Sequence, residues 1–106
     1  MLIVLDEILL ERQRQIHEEK YPFEHDDAHN RGEIAFAAIG HTLASRASDY
    51  PDGKSREAYF WNINNMHMPS GWTCKPKTDP RRHLIIAAAL LVAEIERLDR
   101  AQKATT

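Results

Sequence analysis

Two short stretches of this 106-residue sequence carry most of its potential chemistry. The first is His25-Asp26-Asp27, followed by His29 and, one or two helical turns further on, Glu33. Carboxylates beside imidazoles suit a divalent cation, and an oxygen-rich set suits magnesium or manganese. Asp27 taken alone reads more simply as a helix cap, its carboxylate accepting from first-turn amides. Taken with Glu33, which shares a helical-wheel sector with His29, the cluster reads as a site. The second stretch is Trp72-Thr73-Cys74-Lys75-Pro76-Lys77, leading to Arg81-Arg82. Basic side chains at the start of a helix attract phosphate, and a tryptophan offers a ring on which a base can stack. The plainer reading is a solvated basic turn with its tryptophan in the core. His17, His41, His67 and His83 have no partner at ligand spacing, and Cys74 reads as a small apolar residue. The sequence holds no Gly-rich phosphate loop and no Ser or Cys nucleophile motif.

Three helices must position these residues. The first spans roughly residues 3–20, with Leu2, Leu5, Leu9 and Ile16 at helical spacing and Pro22 as its stop. The second spans roughly 28–48, starting after Asp27 and rich in alanine. Gly40 within it is expected to serve close helix packing, because glycine weakens helices. The third spans roughly 80–102, opened by Asp79-Pro80, a capping carboxylate and then proline at the first helical position. Its stripe is Leu84, Ala87, Leu91, Ile95 and Leu98, and Gln102 to Thr106 reads as a frayed tail. Residues 49–79 are irregular, with a short helix from Ser55 to Asn64 and both tryptophans, Trp61 and Trp72.

At 100° per residue, each helix places one charge on its apolar face. Arg12 falls between Leu9 and Ile16, Glu33 beside Phe36, Gly40 and Leu43, and Glu94 among Ala87, Leu91 and Leu98. Glu7, Glu11 and Arg14 point away from the first stripe. A charge in a core is costly unless paired or metal-bound. The three therefore meet as a buried ion pair or triad, or line a polar pocket for a metal or anionic ligand, or lie on open faces that oligomerise.

One all-α domain, residues 1–106, follows: a three-helix bundle completed by a long aromatic loop or short helix and by self-association. Two-fold dimers are the commonest such solution. The net charge of −2 argues against nucleic acid. With one cysteine there is no intrachain disulfide, which suits a reducing cytoplasm. The longest apolar run, Leu84 to Ala93, is about half of the roughly 20 residues that span a membrane. The N-terminus turns acidic at Asp6-Glu7 and does not read as a signal peptide.

Several segments occur in a familiar order: Glu11-Arg12-Gln13-Arg14-Gln15, His25-Asp26-Asp27, Gly32-Glu33-Ile34-Ala35, Trp72 with Lys75-Pro76, Pro80-Arg81-Arg82, and Ala87 through Arg100. Together they resemble a family of small phage and prophage proteins, mostly without assigned function. More distantly the chain is similar to the all-α nucleotide pyrophosphohydrolases of the MazG type. That resemblance implies magnesium or manganese held by acidic residues on antiparallel helices, and cleavage of nucleoside triphosphates to monophosphate and pyrophosphate. It places metal on Glu33, Glu94, Asp27 and Asp26, with Asp99 as a substitute for Glu94. Phe36 stands where the enzymes' Glu-x-x-Glu pattern has its second glutamate. Arg12, His25, His29, Trp72, Lys75, Arg81 and Arg82 then bind a nucleotide or other phosphate-bearing ligand. The rival expectation is a non-enzymatic phage accessory protein in the bacterial host cytoplasm, sequestering a nucleotide signal or binding a host protein.

Overall fold

The last helix organises the chain in a computed structural model that describes residues 3–18, 23–50, 52–77 and 79–105. Its elements are α1 (Val4–His17), α2 (Phe23–Ala28), α3 (Glu33–Ala44), a 3₁₀ turn (Ala47–Asp49), α4 (Gly53–Met66) and α5 (Pro80–Thr105). Helices α1, α2 and α3 each pack on α5, and α4 packs on α3. No strand occurs among the described residues, so the expected all-α bundle holds. No described helix is long and apolar enough to cross a membrane.

Local signals explain the boundaries. Gly32 adopts φ +82, left-handed backbone that glycine enters without strain. The second helix therefore runs only over α3, Glu33–Ala44, and not over 28–48, while α2 forms before it where the chain after Pro22 was expected to be a loop, so Asp27 lies in α2 instead of capping the second helix. Asp52 caps α4, accepting from the Ser55 amide at 2.7 Å. Asp79 accepts from the Arg81 amide at 3.0 Å at the start of α5. The expected fraying after Gln102 is absent up to Thr105, the last described residue.

The core lies between α3 and α5. Ile34, Ala37, Ala38 and Ala44 meet Ile86, Ala87, Leu90 and Ala93, with Ile63, Met68 and Cys74 closing one side. Gly40 permits this closure. A Cβ there would stand 2.7 Å from the His67 carbonyl oxygen and collide with the Met68 sulfur.

Helix α1 buries Arg12 and half-buries Ile16 of its expected apolar face but turns the leucines of that face outward. Its buried residues are Glu11, Arg12 and Gln15, whereas Leu5 is 72% and Leu9 56% exposed. Leu2 lies outside the described residues. Ion pairs hold α1 down: Glu11 to Arg82, Glu7 to Arg81, and Arg12 to Glu96 at 2.9 Å. The α5 stripe read from sequence also faces outward at Leu84, Leu91, Ile95 and Leu98, with only Ala87 buried.

Candidate functional site

Four of the sequence-predicted carboxylates, Asp26, Asp27, Glu94 and Glu33, are each engaged by a nearby donor. Arg12 donates to Asp26 at 2.9 Å, with both side chains almost fully buried. Arg100 donates to Asp27 at 2.8 Å, and Arg97 donates to Glu94. Glu33, half-buried, accepts from the Arg31 amide at 2.6 Å. Arg97 also sits in the field of Asp27 and Glu33, so a guanidinium occupies the neighbourhood where these acids approach one another. Arg12 therefore meets Asp26 and Glu96, not Glu33 or Glu94. These four carboxylates do not bring three oxygens within 4.8 Å of one another. The donor set as folded does not fit a preformed magnesium cage, which needs free oxygens.

Glu11 is the acid that the wheel placed outward. It is buried, and it accepts from both Arg14 and Gln15 as well as Arg82. Burial alone would raise its pKa, but the Arg14 and Arg82 guanidiniums hold it below the usual carboxylate range. Arg81 and Arg82 are thereby tied to α1, lining a small pocket with Glu7 and Glu11. They stand apart from Trp72 and Lys75.

Trp72 and Lys75 line a larger cavity of about 460 Å³ between α1, α3, α5 and the 68–77 segment. Arg14, Gln15, His41 and Lys77 share its wall. His29 meets the Trp72 ring edge-on at 5.0 Å between centroids. His25 lies in α2, its side chain outside what the structure describes. Gln15 is oriented by its neighbour: its amide nitrogen donates to Glu11 at 3.2 Å, which leaves the buried Oε1 with no donor among the described residues. A buried acceptor without a donor is costly, and a ligand N–H removes the cost.

Sequence spacing missed a second cluster. His41 from α3, Cys74 from the loop and His83 from the first turn of α5 converge. His41 Nδ1 lies 3.2 Å from His83 Nδ1 and 3.6 Å from Cys74 Sγ. Burial, then the neighbouring His83, pushes the His41 pKa down to about 4. Burial also lowers His83 and pushes the Cys74 thiol up to about 11. All three are neutral at neutral pH. Residues 33 and 9 positions apart leave no local motif. The only sequence signal was one histidine near the end of α3 and another in the first turn of α5, both alanine-rich helices. Comparison of the chain with protein-family models, with curated proteins and with solved structures gives no match.

Proposed function

We propose that the chain binds a phosphate-bearing small molecule, a nucleotide by class, in the cavity walled by Trp72, Lys75 and Lys77. The observation that carries this reading is the grouping, in one cavity, of an indole, two lysines and the orphaned Gln15 Oε1. The indole offers a surface for a base, the lysines offset phosphate charge, and Gln15 accepts from an exocyclic amine. Retention is favoured over hydrolysis, because Asp26, Asp27 and Glu94 already face guanidiniums. Magnesium or manganese would then enter with the nucleotide phosphates and not wait in a carboxylate cage. This supports the sequestering reading of a phage accessory protein in a host cytoplasm, with pyrophosphohydrolysis as its alternative.

Nucleotide titrations with magnesium, followed by Trp72 fluorescence, test the reading. Trp61 sits exposed on α4 in a different pocket, so Trp61→Phe removes background without touching the cavity. Stacking is worth about 1–3 kcal/mol, so Trp72→Leu is expected to weaken binding roughly 10- to 100-fold. Chromatography of the same samples separates retained nucleotide from hydrolysed product. Absence of binding by any nucleotide at millimolar concentration would sink the proposal.

The second element of the proposal is a homodimer. Leu5 and Leu9 on α1, with Leu91, Ile95 and Leu98 on α5, leave two apolar stripes in water on helices that pack together. Exposed apolar stripes of this kind mark association surfaces, and a second copy brings stripes of matching character. Light scattering is expected to give twice the 12.2 kDa chain mass, and Ile95→Glu to halve it without loss of helicity. A wild-type monomer at micromolar concentration contradicts this.

A further inference from the structure

We propose that His41 Nδ1, Cys74 Sγ and His83 Nδ1 form a three-ligand site for a borderline-soft divalent cation, zinc by preference, with water as fourth ligand. Tetrahedral zinc with Zn–N near 2.0–2.1 Å and Zn–S near 2.3 Å separates neighbouring nitrogens by about 3.3 Å, and nitrogen from sulfur by about 3.6 Å. The distances of 3.2 Å and 3.6 Å match these edges. One ligand atom from each of the three residues lies within 4.8 Å of the other two. A thiol and two imidazoles select zinc over magnesium or manganese, which prefer oxygen.

The ligands are held by their surroundings. Cys74 and His83 are fully buried, whereas His41 is half-buried and lines the cavity, which gives an ion a way in. Asn64 of α4 clamps the Cys74 backbone on both sides. Its Oδ1 accepts from the Cys74 amide at 2.6 Å, and its Nδ2 donates to the Cys74 carbonyl at 3.2 Å. Such support around a ligand fixes its position before the metal arrives.

Hydrogen bonding identifies what the ion replaces. The Lys77 amide donates to His83 Nε2 at 3.1 Å, so the neutral ring carries its proton on Nδ1. That proton lies on the 3.2 Å line to His41 Nδ1. When zinc binds, the Cys74 thiol loses its proton to solvent and a zinc–sulfur bond forms. The His83 proton moves from Nδ1 to Nε2, and the Lys77 amide gives up its acceptor. One proton is released per ion. The Lys77 ammonium opposes the cation, but its side chain is exposed and water screens it.

The test uses the full chain without nucleotide, so its outcome is independent of what the cavity binds. Zinc titrated against a competing chelator should bind one ion per chain and release one proton. Cobalt(II) should give a thiolate-to-metal charge-transfer band, with visible bands of tetrahedral intensity. Magnesium and manganese should not displace it. Cys74→Ser should abolish the charge-transfer band. His41→Gln, at a half-buried position, should weaken zinc by more than about 100-fold, with helicity measured alongside to show that the variant is folded. Hydrogen exchange at the Lys77 amide should quicken in the zinc form. A wild-type chain that gives no cobalt–thiolate band, or a His41→Gln variant that binds zinc as wild type does, overturns the proposal.

Discussion

Replacing Arg12 with methionine is expected to destabilise the chain by about 3–5 kcal/mol, the usual result of removing one partner from a buried ion pair. Arg12 is 4% exposed and Asp26 2%, so the Asp26 carboxylate loses the Arg12 charge where water cannot replace it. Arg12 also reaches Glu96, but that partner is 44% exposed and tolerates the loss. The double variant Arg12→Met/Asp26→Asn is expected to recover most of the deficit, because the buried charge disappears with its partner. Arg46→Ala is the internal contrast. The Arg46–Asp49 pair is exposed at both ends, and such pairs contribute about 0–1 kcal/mol. Urea melts of the four chains decide the matter. Equal effects for Arg12→Met and Arg46→Ala would show that the α1 pair is only a surface contact.

The metal-free chain is expected to lose about 2–3 kcal/mol of stability as the pH falls from 6.5 to 4, from His41 alone. In the folded state, burial and the neighbouring His83 depress the His41 pKa to about 4 from an ordinary 6.5. Between those values the unfolded chain binds a proton that the native chain refuses. The stability is therefore present above pH 6.5, lost on the way down, and level again below about pH 4. His83, also depressed by burial, steepens the slope in the same direction. Glu11 adds a separate loss further down, below the ordinary carboxylate pKa, because its folded value is lowered. Urea midpoints of wild type and His41→Gln at intervals from pH 7 to 4 check this. The variant should flatten the upper part of the curve, and parallel curves would refute the assignment to His41.

Much of the fold was legible in the sequence because its signals are local. Asp79-Pro80 opens α5, the short helix expected over Ser55 to Asn64 lies within α4, and the alanines of α3 do pack against α5. The start of the second helix was less legible: Gly32, in left-handed backbone, sets it at Glu33, and the separate α2 ahead of it carries no strong local signal. On the expected α1 face, Arg12 is buried and Ile16 half-buried, but Leu5 and Leu9 face water. A helical wheel assigns the apolar face to the core of its own chain, and here Glu11, Arg12 and Gln15 take that place. Arg12 was recognisable as a buried charge, but its partners Asp26 and Glu96 depend on where α2 and α5 lie. The His41–Cys74–His83 cluster was invisible for the same reason. No spacing rule joins the end of one helix, a loop and the first turn of another.

The dependence of α1, α2 and α3 on α5 also orders events during synthesis. As the chain leaves the ribosome, the first four helices emerge before the surface on which three of them rest. Nascent α1 then shows its leucines, and a polar face whose Glu7 and Glu11 have yet to meet the arginines of α5, to whatever is nearby. The arginines of the first α5 turn, Arg81 and Arg82, appear next and catch Glu7 and Glu11. Only when Ala93 and Glu96 have followed can the α3 core close and Arg12 find its second carboxylate. The core between α3 and α5 thus cannot close before α5 has emerged. A ribosome stalled within α5 would hold a chain with intact local helices and no core, a natural client for chaperones that bind exposed apolar segments.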